Sequence, residues 1–342
     1  MTSLINYKCK QKSICEYVWI GGNGETRSKT RVLQQSIRSI NDVPVWNFDG
    51  SSTEQAPSSG NTEVIIKPCL LVKDPLREID NCKCYVVLCD TYDDNDVPLL
   101  SNQRHSANEK FNKKLEEKPW FGLEQEYFFN HDKTTRLTFN KDGLYYCGIT
   151  EDTSERLIVE KHLVACLEAG LNISGMNAEV VRGQWEFQIG PCVGIESGDH
   201  LTLARYFLEK IAETYDVRII YCSKPFQGVN GSGCHINFST KSMRESGGLL
   251  VIESCMPKLE KRIKEHMLVY GDGNENRLTG THETSRANEF SYGVGTRNTS
   301  VRIGNQTAKD GYGYFEDRRP GSNIDPYAAT AVLFETCCLD DI

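Results

Sequence analysis

The chain has 342 residues, of which 39% are hydrophobic and 25% charged, with a formal net charge of -8. That length admits a large buried core and about two domains at ~150 residues each, while the acidic balance argues against a nucleic-acid surface. No window approaches the roughly 18 apolar residues of a membrane span, and the N-terminal MTSLINYKCKQKS lacks the apolar heart of a secretion signal.

The expectation is therefore a soluble, cytoplasmic protein. Its fourteen cysteines sit without paired metal-ligand spacing and read as reduced, small core residues. In chain order, YVWI (17–20), EVIIKP (63–68) and YVVLCD (85–90) read as short strands between polar turns, predicting a sheet-rich domain over residues 1–98. From 99 to 342 the pattern is longer and mixed. PWFGLEQEYFF (119–129) reads as a buried strand interrupted by Glu124 and Glu126, which alternation places on one face, with Leu123, Gln125 and Tyr127 on the other. Residues 155–169 carry helical spacing that stops at Gly170, and residues 199–216 repeat it behind an Asp199 cap. QWEFQIG (184–190), RIIYCS (218–223) and GCHINFS (233–239) read as further strands, so the class is α+β.

The same alternation recurs in two of those strands. Glu186 and Gln188 oppose Trp185, Phe187 and Ile189; His235, Asn237 and Ser239 oppose Cys234, Ile236 and Phe238. Glu179 precedes Glu186 by seven residues, and Glu316 lies among aromatics and arginines in GYFEDRRP. An isolated strand Glu or His is ordinarily a half-solvated residue. If all five glutamates and His235 meet in one cavity, their charge is too negative to bury without cations, and oxygen-dominated ligation favours Mg²⁺ or Mn²⁺ over zinc. The chain has no P-loop and no G-x-G-x-x-G after a strand. Phosphate or carboxylate partners are instead available in Arg277, Arg297, Arg302, Arg318 and Arg319, with Tyr312, Tyr314 and Phe315 able to stack on a ring.

WNFDGSST (46–53), PWFGLEQEY (119–127), NAEV with QWEFQIGP (177–191), NGSGCHINFST (230–240), NRLTGTHETS (276–285) and GYFEDRRP (313–320), taken together and in this order, resemble glutamine synthetases of the eukaryotic type, type II. The resemblance implies an N-terminal β-grasp domain followed by a larger catalytic domain with a curved antiparallel sheet and helices, the glutamine synthetase/guanido kinase-like fold. It also implies stacked rings, commonly a decamer, with active sites between adjacent subunits. The reaction implied is ATP-dependent condensation of glutamate and ammonia through γ-glutamyl phosphate, with two or three Mg²⁺ or Mn²⁺ ions per site. By the same resemblance Glu124, His235 and Glu316 hold one metal and Glu126, Glu179 and Glu186 another. Asn230, Gly231, Arg277, Arg297 and Arg318 meet the substrate beside Glu124, Glu186 and His235. Arg297, Arg302 and Tyr314 meet ATP. Asp49, assisted by Glu283 on a mobile flap, deprotonates ammonium, with Arg297 and Arg318 at the transferred phosphoryl group.

The chain departs from the family pattern at three places. IGG follows Trp19 where an acidic residue precedes the second glycine, Thr296 replaces Asn before Arg297, and Arg302-Ile303-Gly304-Asn305 lacks a second arginine. These departures predict altered nucleotide affinity or stability. Two rival functions follow from the same residues: a catalytically silent structural ring protein, and a ligase joining glutamate to another amine. All six implied metal ligands and Asp49 are present, which disfavours the first.

Overall fold

The computed structural model describes residues 12–130, 145–149 and 153–339. The N-terminal segment read above for a secretion signal lies outside them, apart from Lys12 and Ser13. Two compact units emerge. One runs to His105 and takes in Glu168–Gly170; the other holds Ser106–Leu167 and the chain from Leu171 onward.

In the first unit, β1 (Lys12–Ile20), β2 (Thr26–Leu33), β3 (Trp46–Asp49), β4 (Glu63–Lys73) and β5 (Cys82–Tyr92) form one sheet in the order β2-β1-β5-β4-β3. β1 runs parallel to β5 and the other pairs are antiparallel. Tyr17, Trp19, Ile37, Ile66 and Val87 fill its core. Pro68 has no N–H for the ladder, and β4 bulges between Pro68 and Leu70. Residues 26–33 are not among the strands read from the sequence, and Arg27, Lys29 and Arg31 make them polar. They form an edge strand, where charge is tolerated. Lys29 Nζ and Arg31 sit 3.9 Å and 5.3 Å from the Trp46 ring centre, so the two edges of the sheet meet through side chains and the sheet is strongly curled.

In the second unit, α1 (Gln103–Asn112, shared across the boundary) leads to β6 (Trp120–Asn130), α2 (Thr153–Glu168), β7 (Ile173–Ala178), β8 (Gln184–Val193), α3 (Glu196–Glu213), β9 (Arg218–Ile220) and β10 (Cys234–Ser239). Next come α4 (Gly248–Lys261), α5 (Ile263–Val269), β11 (Tyr292–Val294), β12 (Val301–Ile303), α6 (Asn305–Asp310), β13 (Phe315–Asp317) and α7 (Pro326–Phe334), with a π-helical turn at Glu335–Leu339. The strands make one sheet in the order β11-β12-β13-β10-β6-β8-β7, with β9 beside β6. It is antiparallel except that β11 runs parallel to β12 at the edge. The α+β expectation holds. No helix among the described residues is long and apolar enough to cross a membrane.

Several element ends differ from the sequence reading: the strands read at 17–20, 63–68, 85–90 and 184–190 all run longer. α3 starts at Glu196, because the Glu196 carboxylate accepts from Val193 N at 3.0 Å; Asp199 lies inside the first turn and accepts from Tyr327 Oη at 2.8 Å. β9 covers only Arg218–Ile220, with Arg218 opposite the last residue of β6, Asn130, and Ile220 opposite Phe128. Beneath the sheet, Phe187, Ile189, Cys234, Ile236 and Phe238 are buried, in agreement with the alternation. His162 joins this apolar layer from α2. Its Nε2 donates to Ala204 O at 2.9 Å and its ring meets Phe187 edge-on at 4.8 Å.

Burial lowers the His162 pKa from 6.5 to about 4. The unfolded chain therefore binds a proton that the native chain excludes between pH 6.5 and about 4, and stability falls as pH falls through that window. On the order of 3 kcal/mol should be lost by pH 4. Urea midpoints of the unaltered protein and His162→Gln, measured from pH 7 to 4, should converge on acidification; parallel curves would refute this.

Candidate active site

The register of the large sheet assembles the site. In β6, Glu124 faces His235 of β10 on one side and Gln188 of β8 on the other, while Glu126 faces Glu186 of β8. Glu316 of β13 lies opposite Asn237 of β10, and Glu179 directly follows β7. Five neighbouring strands thus aim their polar rows at a cavity of about 360 Å³, lined by all six of these candidate ligands. The opposite rows are core, so neither row can slip by one residue without inverting both.

Within the cavity, His235 Nδ1 lies 3.3 Å from Glu124 Oε2 and 3.5 Å from Glu316 Oε1. Among the described residues this trio alone brings three candidate ligand atoms within 4.8 Å of one another. Glu126 Oε2 accepts from Gly233 N at 2.9 Å and Gln184 Nε2 at 3.0 Å, and Glu179 accepts from Val180 N at 3.0 Å. Gln188 Nε2 bonds both Asn177 and Glu186. Two turn glycines are needed here. A Cβ on Gly231 would lie 2.3 Å from Ser223 O, and one on Gly233 would lie 2.7 Å from His235 Nε2.

The electrostatics follow from crowding. Burial and the charges of Glu179 and Glu186 push Glu126 well above the usual carboxylate range. Burial, with Glu124 and Glu179 nearby, pushes Glu186 up to about 8. Burial also raises Glu124, but the hydrogen bonds from His235 and Asn237 and the charge of Arg318 outweigh it and hold that carboxyl below the usual range. Burial and Arg318 keep His235 neutral, the form that ligates metal. Carboxyls that must hold protons when alone, beside a neutral imidazole, are a donor set that fits hard divalent cations.

Arginines close the other side. Arg318 Nη1 donates to Glu316 Oε1 at 2.7 Å and Arg302 Nε reaches Glu316 Oε2 at 2.5 Å. Arg297 is half exposed and 3.9 Å from Glu283, whose carbonyl accepts from Arg318 Nη2 at 3.4 Å. His282 and Glu283 both hold left-handed backbone, at φ 52° and 60°, an unfavourable pairing for residues with a Cβ. Arg277 is buried, with Nη2 donating to the carbonyls of Arg318, Arg319 and Pro320, and it lines the cavity beside Asn230 and Gly231.

The structure does not bring every candidate to this cavity. Asp49 belongs to the small unit; it is exposed at the end of β3, and hydrogen bonds from Ser51 and Thr62 hold its carboxyl below the usual range. Tyr314 lines a second cavity, of about 620 Å³, walled by Trp120, Phe121, Pro191, Phe238 and Tyr312. Glu124 and Gln188 line both cavities, which therefore abut along that pair. Sequence reasoning misses Trp120 and Arg244, stacked with the guanidinium 4.0 Å from the ring centre. A signal exists for Trp120: it stands four residues before Glu124, on the same strand face.

Comparison with known proteins places this geometry. Residues 102–249 match the family model described as glutamine synthetase, catalytic domain. The chain is 54% identical to a protein of Acanthamoeba polyphaga mimivirus that bears a provisional glutamine synthetase name, over 96% of this chain and 95% of the other. It is 48% identical to the glutamine synthetase of Agaricus bisporus over 95% and 93% of the two chains. It is 49% identical to that of Emericella nidulans over 95% and 92%.

The carboxyl crowding has a measurable sign. Without metal, the native protein keeps a proton on Glu186 that the unfolded chain releases between pH 4.5 and about 8, so this residue costs stability as pH rises through that window. In EDTA, denaturant midpoints should fall from pH 5 to 8 in the unaltered protein. The fall should be shallower in Glu186→Gln and in the unaltered protein with Mn²⁺; equal slopes in all three would contradict it.

Proposed function

The chain belongs to the glutamine synthetase family, and from that premise we propose that it is a glutamate–ammonia ligase, forming glutamine from glutamate and ammonia at the expense of ATP. One observation carries the reading: the sheet register sets five glutamates and a neutral histidine around one cavity, lined also by four arginines, that abuts an apolar, aromatic one. A carboxylate is a poor electrophile. Activation requires a γ-carboxylate oxygen of glutamate to attack the γ-phosphorus of ATP, releasing ADP and leaving γ-glutamyl phosphate. The nitrogen of ammonia then attacks the acyl carbon, and the C–O bond to phosphate breaks.

Each group in the cavity suits part of that chemistry. Arg297, Arg302 and Arg318 complement the charge spread over the phosphoryl oxygens, a task of electrostatic stabilisation. Arg277, Asn230 and Gly231 seat the amino-acid end of glutamate. Mg²⁺ or Mn²⁺, held by Glu124, His235 and Glu316 and by Glu126, Glu179 and Glu186, would neutralise phosphate charge when bound. The apolar cavity takes the base and ribose of ATP, with Trp120 and Tyr314 as stacking faces. Glu283, beside Arg297 on the 276–285 segment, helps exclude water from the acyl phosphate.

Ammonium has no lone pair and must lose a proton. Asp49, ionised and exposed, is the base we assign. It serves the cavity of a neighbouring copy, the domain of residues 1–98 closing a catalytic domain of residues 99–342 in stacked rings, commonly ten subunits. Support for self-association comes from Leu157, Val164 and Leu167, about half exposed on one side of α2. The thirteen described cysteines are free thiols, in keeping with a reducing, cytoplasmic setting.

Purified protein given ATP, Mg²⁺ and glutamate should release phosphate and glutamine in equal amounts only when ammonium is added. Phosphate release with no glutamine, or a product of different mass with another amine, would sink the assignment. Trp120→Ala should raise the KM for ATP about tenfold or more, the loss of one base–aromatic stack at ~1–3 kcal/mol, while leaving the KM for glutamate near its starting value. An unchanged ATP KM would remove the apolar cavity from the nucleotide site.

A further inference from the structure

β13 spans only Phe315–Asp317, yet it and the residues after it present two opposed rows. Glu316 and Arg318 face the cavity; Asp317 and Arg319 face inward and are 0% and 1% exposed. The inward pair is a fork: Arg319 Nε donates to Asp317 Oδ1 at 2.9 Å and Nη2 to Oδ2 at 2.6 Å. That fork joins residues two apart, and among the described residues its guanidinium reaches beyond them by hydrogen bond only through a long 3.4 Å contact from Arg319 Nη2 to His266 Nδ1. The tie is Tyr270, just past α5, whose Oη donates to Asp317 Oδ2 at 2.8 Å. His266 Nδ1 lies 2.7 Å from Tyr270 Oη, and His266 Nε2 lies 2.8 Å from Thr336 Oγ1 in the π-helical turn. His266 Nδ1 thus faces both Tyr270 Oη and Arg319 Nη2, and Thr336 Oγ1 donates to Val332 O at 2.8 Å. His266, Tyr270 and Thr336 are all 0% exposed.

We propose that His266 and Tyr270 are positioning residues that fix Glu316 and Arg318 at the cavity by anchoring Asp317 between them; the proposal rests on the reading of that cavity as a metal and phosphoryl site. A three-residue strand has few ladder bonds with which to hold a carboxylate and a guanidinium in place. Movement of Asp317 displaces both neighbours together, since they share its backbone. Stability alone gives no reason for this construction, because a buried ion pair with its polar escort is commonly no more stabilising than apolar side chains of the same volume. Partners that orient a ligand from behind, by contrast, commonly change metal affinity about 10–100-fold when removed.

The experiment measures Mn²⁺ affinity of the full chain without nucleotide, together with steady-state kinetics and Tm. Tyr270→Phe deletes one oxygen; His266→Leu deletes every ring-nitrogen contact, and His266→Asn keeps a polar group near the position of Nδ1. Leu208→Val, in the core of α3 and outside the network, calibrates what lost stability alone does. Tyr270→Phe and His266→Leu should weaken Mn²⁺ about tenfold and lower kcat, with His266→Asn recovering part of both and Leu208→Val changing neither. If Tyr270→Phe and His266→Leu lose only Tm, as Leu208→Val does, the positioning role is overturned. Glu316→Ala separates the two readings. Should it leave Mn²⁺ affinity unchanged, the metal reading of the cavity fails and the proposal falls with it; should it weaken Mn²⁺ while Tyr270→Phe does not, only the proposal falls.

Discussion

Carboxylates repel one another, and the large sheet is built to hold five of them together. Glu124 and Glu126 stand on one strand face between His235 and Glu186, with Glu179 and Glu316 closing in from the flanks. No flexible loop could keep such groups converged, because each would swing toward water. Strands prevent that: their outward rows cannot move without dragging Leu123, Phe187, Ile236 and Phe238 out of a closely packed layer. The apolar face of the sheet is therefore the restraint that makes the polar face possible.

The cost of that convergence is visible in the proton affinities. Glu126 and Glu186 are driven toward their neutral forms, whereas Glu124, with His235 and Arg318 beside it, is not. Divalent cations and the phosphates they accompany would complete the charge balance that the protein leaves open. Arginines share the load, and several are themselves tethered: Arg277 to three successive carbonyls, Arg318 to Glu316, Arg319 to Asp317. Strained backbone at His282 and Glu283 occurs where the segment bends over this charge.

Period-two alternation makes much of the site legible in the amino-acid sequence. It assigns the faces of residues 123–127, 185–189 and 234–239 because a strand side chain has only two directions to point. It fails where composition masks the pattern. The charged edge strand at 26–33 is not read as a strand, and Trp120 escapes notice although it shares the face of Glu124. Asp199 reads as a helix cap because capping residues and buried acceptors have the same composition, and only the position of Tyr327 tells them apart.

The residues alone determined which faces are polar, that the cysteines need no metal spacing, and, through their motif order, the family to which the chain belongs. Alternation by itself could not determine that Glu124 meets His235 rather than Glu186, because pairing between strands about 60 to 111 residues apart depends on register and sheet order, which no local pattern encodes. Nor could it place His266 behind Asp317: a contact between an α5 histidine, a tyrosine one turn later and a strand 47 residues beyond that tyrosine exists only once those segments have packed against one another.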